Sequence, residues 1–433
     1  MEVDPCAEPE RIERHDRLDA LVNARISELR DRARIALDDE ATSDGLRAAL
    51  TAVLVRGETS LASVEPAVAA PDRIADGFDL ATSLYLTVAV RLDARDPRNA
   101  ELAIDRAARL APRDAVPHVL RAIRRIHARE MAGFREALGE AFARDREEPA
   151  IAIELAYALS RTVELARTID ALSAYLAVYP GDPEALHLRA RTERRRDGVG
   201  QGARTRAARG VTILYASDVS EPHVVDALDT IVGALDDASR ALALPRRAEL
   251  AVLVHRDHDA MLRAMCGQSW TAAAYDGVLH LDRSLFDPQQ TTDAMRRGVL
   301  RHETLHAALH DRPRDVPYWA DEGIAQHFAG LDDPSASRDF ARLVRDRTYV
   351  PLASLDGAFL DIDDPADARL AYHQSLAMID WLVAQRGERG IAELVARLET
   401  TAAGSARDPS TILSEVAGRR FDGEVLLAFL ATR

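Results

Sequence analysis

Residues 299–308 read VLRHETLHAA and contain the pattern H-E-x-x-H, formed by His302, Glu303 and His306. On an α-helix, residues i and i+4 lie on one face about 6 Å apart along the axis, so two imidazoles can bind the same zinc ion. The glutamate between them then lies beside the metal, where it can take a proton from bound water. Apolar residues precede the motif, and the pattern predicts an amphipathic helix over about 291–310.

A second helix is predicted after the first. Pro313 and Pro317 follow the motif and are expected to end the first helix and turn the chain back. The next stretch, PYWADEGIAQHF at 317–328, has Asp321 and Glu322 early in a helical pattern. Either carboxylate can serve as a third ligand, but adjacent helical residues point about 100° apart, so only one of them can face the metal. Three protein ligands would leave one coordination position for water.

The two motifs together resemble those of the gluzincin metallopeptidases, in particular the bacterial peptidase-MA-like domains that are often joined to tetratricopeptide repeats. Those domains carry H-E-x-x-H and then, on the next helix, W-x-x-E-G-x-A, whose glutamate completes the zinc site. The resemblance extends over about 210–400 and implies a zincin-like fold and a zinc-dependent peptidase. It favours Glu322 over Asp321 as the third ligand. The matching positions are His302, Glu303, His306, Trp319, Glu322, Gly323 and Ala325.

Two further histidines near these motifs are not expected to bind the metal. His310 continues the i, i+4 series but lies about 12 Å along the helix axis from His302. One zinc ion, which binds its ligands at about 2 Å, cannot reach both. We interpret His310 as a C-terminal helix residue favoured by the helix dipole. His327 stands where the related domains usually have tyrosine, and we expect it to be structural.

Zinc-dependent hydrolysis also needs a donor for the negative charge that develops on the attacked carbonyl oxygen. The stretch ARLAYHQS at 368–375 places Tyr372 and His373 on a later predicted helix. Peptidase-MA-like domains are similar here and often have a tyrosine, which makes Tyr372 the candidate oxyanion donor; the alternative is a packed aromatic residue. The acidic residues at 361–364 lack the loop glycine and distal glutamate of a calcium site, and we interpret them as a solvated loop.

Short strands are predicted before the H-E-x-x-H segment. VTILY at 211–215 and LAVLV at 250–254 are runs of β-branched and aliphatic residues, typical of buried strands, with a helical stretch at 221–243 between them. AYDGVLHLD at 274–282 is predicted to form an edge strand or a hairpin, beside which an extended peptide can bind. Strands followed by helices predict a small α+β domain at 210–433.

The N-terminal part of the chain is predicted to be all helical, with an N-terminal region at 1–75 and paired helices at 76–198. Pro112 and Pro180, in two similar turns, are 68 residues apart, which is twice the 34-residue period of tetratricopeptide repeats. The aromatic and glycine positions of that repeat are mostly unfilled. We predict a helical-repeat solenoid, whose concave surface can bind a protein partner. The arginine- and glycine-rich run at 194–210 is interpreted as a solvated linker, the alternative being an anion-binding patch.

The composition argues against several classes of function. None of the 433 residues is lysine, so all 56 basic residues are arginine, which excludes Schiff-base enzymes and phosphate loops that depend on lysine. The net charge of -15 argues against nucleic acid as a partner. Two cysteines cannot form a disulfide framework. No apolar stretch is long enough to cross a bilayer and no signal peptide is visible. We therefore expect a cytoplasmic protein, although an exported protein whose leader had been removed would look the same.

These observations predict a multidomain chain, with an N-terminal all-α helical-repeat solenoid joined to a C-terminal α+β zincin-like metallopeptidase domain. The predicted reaction is hydrolysis of a peptide or protein substrate by zinc-activated water. Zn²⁺ would be held by His302, His306 and Glu322, with Glu303 as general base and later acid, and Tyr372 as oxyanion donor. One alternative is a non-catalytic helical-repeat scaffold with a zinc site, in which Glu303 would have no use. Another is a zinc hydrolase that acts on a different class of substrate.

Overall fold

The computed structural model describes residues 16–38, 42–68, 75–93, 95–265, 273–310, 316–330, 350–358, 365–400 and 408–430. The chain divides into two compact units, the first comprising Met1–Ser160 and Glu164–Glu193 and the second Arg161–Val163 and Arg194–Arg433. Both cysteines, Pro313 and the acidic residues at 361–364 lie outside the described residues. Among the described residues, no helix combines the length and the apolar character that crossing a bilayer requires.

The first unit is helical, and consecutive helices pack in pairs: α4 with α5, α6 with α7, and α8 with α9. The bounds are α1 Asp16–Asp38, α2 Asp44–Leu50 with a π-helical turn at Thr51–Val55, α3 Glu65–Val68, α4 Ala75–Leu92, α5 Pro97–Leu110, α6 Val116–His127, α7 Met131–Arg144, α8 Pro149–Leu159, α9 Leu165–Val178 and α10 Pro183–Val199. This pairing agrees with the predicted paired helices, while the solenoid stays a prediction.

Proline and alanine explain the local structure of these helical pairs. Pro97 and Pro149 stand at the first position of α5 and α8, where the missing N–H breaks no hydrogen bond. On α5, Ala100, Ala103 and Ala107 are buried at helical spacing, so a small-residue stripe lets the neighbouring helix approach. Turns and packing faces of this kind are short-range features, which is why the sequence pattern already indicates them.

The second unit contains a five-stranded mixed sheet in the order β1-β2-β3-β5-β4. β2 pairs parallel with β3 and β3 parallel with β5, whereas the outer pairs β1–β2 and β4–β5 are antiparallel. The bounds are β1 Arg204–Ala208, β2 Val211–Tyr215, β3 Leu250–His255, β4 Ala273–Tyr275 and β5 Leu279–Asp282. The strands expected at 211–215 and 250–254 are confirmed. The segment 274–282 is a hairpin that turns at Gly277 (φ +100°), with β4 at the sheet edge and β5 inside.

The interpretation of 194–210 as a solvated linker is wrong. Helix α10 continues to Val199, and β1 covers much of the rest of the segment. Arg195 is buried and binds both carboxylate oxygens of Asp276 at 2.9 Å. β1 is an edge strand that is exposed along most of its length, so its sequence lacks the apolar alternation by which a strand is recognised. The sheet of the second unit therefore includes residues before 210.

Helix α13 (Asp293–Leu309) lies between two apolar cores of the second unit. Leu300 and Ala307 pack with α11 (Glu221–Ala241) and the inward-facing side chains of the sheet. Leu305 and Leu309, on another face of α13, join the core formed by the C-terminal helices. The remaining helices of this unit are α12 His258–Met265, α14 Tyr318–Ala329, α15 Leu355–Ala358, α16 Pro365–Arg386, α17 Arg389–Thr400, α18 Pro409–Ala417 and α19 Gly423–Leu430. This packing buries the H-E-x-x-H residues between the two cores.

Candidate metal centre

The two histidines of the H-E-x-x-H motif face each other on α13. The helix begins at an N-cap, Thr292, whose side-chain oxygen accepts a hydrogen bond from the backbone N–H of Met295 at 3.2 Å. His302 and His306, one turn apart, bring their Nε2 atoms to 3.1 Å. Both residues are buried, at 9 % and 8 % exposure. The helix that the sequence predicts therefore forms, with both imidazoles directed to one point.

Glu322 of α14 completes a triangle with these imidazoles. Its Oε2 atom lies 3.2 Å from Nε2 of His302 and 3.5 Å from Nε2 of His306. Within the described residues, this buried oxygen accepts no aligned hydrogen bond. Tetrahedral ligands at about 2.0–2.1 Å from a zinc ion are about 3.3 Å apart, which matches the three sides of the triangle. The donor set therefore fits one small dication.

The electrostatics of this cluster also fit a cation. Burial raises the pKa of Glu303, which lies on α13 next to His302. Burial also raises the pKa of Glu322, but the charge of His306 and the close contacts with both imidazoles outweigh it and hold that pKa at about 2. The carboxyl group of Asp321 is buried in the same cluster. Three carboxyl groups beside two imidazoles leave an excess of negative charge, which a dication would balance.

Asp321 lies on the other side of His306, where sequence reasoning considered it only as a rival ligand. Its Oδ1 atom is 3.0 Å from Nδ1 of His306, and its Oδ2 atom is 3.0 Å from Nε2 of His310. His310 is the C-cap residue of α13, as expected of a helix C-terminal residue, and its side chain is 53 % exposed. The signal for this contact in the sequence was the pair of adjacent acidic residues, Asp321 and Glu322. Because adjacent helical side chains point about 100° apart, the two carboxylates can each reach a different nitrogen of the His306 imidazole.

A second set of donor atoms, from His306, His310 and Asp321, also lies within 4.8 Å of one another. Here each short contact joins a carboxylate oxygen to an imidazole nitrogen, and such groups attract one another without a metal. In the first set, by contrast, the Nε2 atoms of His302 and His306 face each other at 3.1 Å. If one proton lies between these two nitrogens, only one of them can be the hydrogen-bond donor. The triangle of His302, His306 and Glu322 is therefore the stronger candidate.

Tyr372 of α16 reaches the same cluster. Its hydroxyl donates a hydrogen bond to Oε1 of Glu322 at 3.4 Å, and its ring centroid lies 6.5 Å from that of His302. Burial, together with the neighbouring carboxylates of Glu322 and Glu303, raises the pKa of Tyr372 well above 10. The phenol therefore keeps its proton near neutral pH and can act as a hydrogen-bond donor.

Gly323 allows α14 and α16 to approach closely enough for this contact. A Cβ atom at this position would lie 2.6 Å from the carbonyl oxygen of Ser375 and 2.8 Å from Cγ1 of Ile379, both on α16. The backbone oxygen cannot move aside without displacing the helix that carries Tyr372. The glycine that follows Glu322 in the motif is thus required by packing.

Gly323→Ala is expected to destabilise the protein by about 1–3 kcal/mol, because the added methyl group overpacks the helix interface. The matched control is Gly233→Ala in the interior of α11, where a Cβ atom meets nothing within 4 Å. That change should be neutral or stabilise by up to about 1 kcal/mol, owing to the better helix propensity of alanine. Urea unfolding of both variants measures the difference, and equal effects would contradict the packing argument.

His327, on the last turn of α14, lies in an ion-pair cluster of its own. Its Nδ1 is 2.8 Å from Oδ1 of Asp380 on α16, and its Nε2 is 3.2 Å from Oε1 of Glu388. The hydrogen bond with Asp380 raises the pKa of His327 above 6.5, against the opposing effect of burial. These contacts join two helices, which agrees with the expected structural role.

The cluster at His327 predicts a pH-dependent stability. Since the folded pKa lies above the unfolded value of about 6.5, the stabilisation is complete below that pH and is lost as the pH rises through the folded pKa. His327→Gln should therefore lower the free energy of unfolding by about 1–3 kcal/mol at pH 6 and by less at pH 9. Urea titrations at several pH values measure this, and Asp380→Asn should show the same trend. A loss that grew at alkaline pH would contradict the assignment.

Comparison with known proteins places this cluster in a family context. Residues 292–421 match the Peptidase MA superfamily. The matched segment begins at the N-cap of α13 and contains α14 and α16, so it includes His302, Glu303, His306, Glu322 and Tyr372. No curated protein shows significant similarity to the chain. The superfamily match supports a gluzincin-like peptidase domain in this part of the chain.

Proposed function

We propose that the second unit is a zinc-dependent metallopeptidase in which His302, His306 and Glu322 hold one zinc ion. The observation that carries this proposal is the triangle of two Nε2 atoms and one carboxylate oxygen, with sides of 3.1, 3.2 and 3.5 Å. Two nitrogen ligands and one oxygen ligand form the donor set of zinc peptidases that leave a fourth position for water. The match to the Peptidase MA superfamily over the same residues supports the proposal.

Bound zinc would supply Lewis acidity to the attacking water and to the substrate carbonyl. The chain's own residues would then move the protons. Glu303, buried on α13 beside the ligand His302, would accept the proton of the attacking water and return it to the leaving amine nitrogen. Its burial keeps bulk water away from the carboxyl group, which strengthens its interactions in the site.

Tyr372 is proposed to donate its hydroxyl proton in a hydrogen bond to the carbonyl oxygen as negative charge develops there. Its hydroxyl already points into the cluster, toward Glu322. The close packing at Gly323 holds α16 in position, so the donor needs little reorganisation during the reaction. An aromatic residue with only a packing role would not require the hydroxyl.

The substrate is proposed to be a peptide or protein that binds in an extended conformation along β4. This strand lies at the edge of the described sheet and packs near α13, and the ring of Tyr275 is 5.9 Å from that of His310. An extended peptide can add to a sheet by pairing with its edge strand. Of the two edge strands of the described sheet, β4 packs with α13 whereas β1 packs with α11, and β5 is paired on both sides. A protein partner on the helical pairs of the first unit also remains a proposal.

The test is metal analysis of the purified protein together with an assay on a peptide library. We expect about one zinc ion per chain, and hydrolysis that a chelator abolishes and added zinc restores. Protein that contained zinc but cleaved no peptide would favour the non-catalytic scaffold. Cleavage of non-peptide substrates alone would favour a hydrolase of another class.

A further inference from the structure

The carboxylate of Asp321 lies between two imidazoles, one inside the proposed metal site and one at its border. Oδ1 is 3.0 Å from Nδ1 of His306 and Oδ2 is 3.0 Å from Nε2 of His310. Nδ1 of His306 and Oδ1 of Asp321 are both buried, and neither makes an aligned hydrogen bond within the described part of the chain. Each of these two atoms is therefore positioned to be the hydrogen-bond partner of the other.

Each of the two ring nitrogens of His306 faces a carboxylate. Oε2 of Glu322 is 3.5 Å from Nε2, while Oδ1 of Asp321 faces Nδ1. An imidazole that offers its Nε2 lone pair to a metal carries its proton on Nδ1, so an acceptor at Nδ1 selects the tautomer and the ring orientation. The neighbouring position on α14 supplies that acceptor, because adjacent helical side chains point about 100° apart.

We propose that Asp321 is a positioning residue for the metal ligand His306. Its carboxylate holds the Nδ1–H group of His306 and so directs Nε2 toward His302 and Glu322. His310, at the end of α13, holds the second oxygen and keeps the carboxylate from turning away. This inference rests on the proposed zinc site and deepens it, since it assigns the other half of the acidic pair a separate task.

A second pair on the same helix provides a matched control. Asp380 contacts Nδ1 of His327 at 2.8 Å, so this pair also joins a carboxylate to an imidazole, which here lies on α14. The His327 imidazole, however, belongs to a separate ion-pair cluster. Removing either carboxylate therefore removes a similar contact from the fold. Only the removal of Asp321 should change the binding of a metal.

The experiment measures zinc affinity by competition with a chromogenic chelator, and the visible absorption of the Co²⁺-loaded protein, for wild type and variants. Asp321→Ala should weaken zinc binding about 10–100-fold and alter the cobalt spectrum, while Asp380→Ala leaves both unchanged. Asp321→Asn should retain most of the affinity, because its amide oxygen can still accept from His306 and its amide nitrogen can donate to His310. His310→Ala should cause a smaller loss than Asp321→Ala.

Affinity equal to wild type in Asp321→Ala would overturn this inference and leave the zinc site standing. An equal loss in Asp380→Ala would also overturn it, since the effect would then be general destabilisation. If Asp321→Ala does not fold, Asp321→Asn and His310→Ala are compared with wild type instead. The proposed hydrogen-bonding role would be contradicted if Asp321→Asn lost much of its zinc affinity while His310→Ala kept both the wild-type affinity and the wild-type cobalt spectrum. A wild-type protein that bound no zinc would overturn the proposed function itself, and this inference with it.

Discussion

Glu303→Gln is expected to lower peptide turnover by about 10²–10⁴, the usual contribution of a positioned general base. Glutamine keeps the shape of the side chain but cannot accept the proton of the attacking water. Since Glu303 is not one of the three proposed ligands, zinc content and the free energy of unfolding should change little. The loss should appear mainly in kcat, because contacts to the substrate are unaffected.

The measurement is steady-state kinetics on the peptide that wild type cleaves best, with zinc content determined on the same samples. Glu393→Gln is the matched control: this glutamate of α17 pairs with Arg386 and Arg389 on the outside of the unit. It should keep wild-type turnover. Equal activity in wild type and Glu303→Gln would mean that the hydrolysis comes from a contaminant or from another site, and the scaffold would become the better account.

Alanine at a true ligand should remove most of the bound zinc, because the two remaining protein ligands hold the ion poorly. His302→Ala, His306→Ala and Glu322→Ala are therefore expected to be purified with far less than one zinc ion per chain. His310→Ala should retain about one, since His310 contacts Asp321 and lies outside the triangle. Metal analysis by mass spectrometry after removal of free zinc gives the answer directly.

The same series separates the two sets of donor atoms. His306 belongs to both sets, so it does not discriminate between them. Loss of zinc in His310→Ala together with retention of zinc in His302→Ala would indicate that the ion binds to the second set of donor atoms. That result would contradict the gluzincin assignment. Retention of stoichiometric zinc in His306→Ala would exclude both sets.

Much of the fold could be predicted from the sequence where the deciding interactions are local. The strands at 211–215 and 250–254 are confirmed, and the helix expected at 291–310 is observed at Asp293–Leu309. β1 could not be predicted, because an exposed edge strand takes its hydrogen bonds from β2 and buries little of its own surface. Apolar alternation in a sequence reflects the burial of one face of a strand, so a strand that is stabilised by pairing alone does not show it.

In the candidate site, the sequence by itself determined the spacing of His302 and His306, since one helical turn brings positions i and i+4 together wherever a helix forms. It also indicated that an acidic residue of the next helix would face them. Only the tertiary structure decided which atoms meet: Glu322 lies at the two Nε2 atoms, Asp321 at Nδ1 of His306, and Tyr372 at Glu322. The reason is physical, because distances within a helix follow from backbone geometry, whereas distances between helices depend on packing contacts such as that of Gly323 against α16.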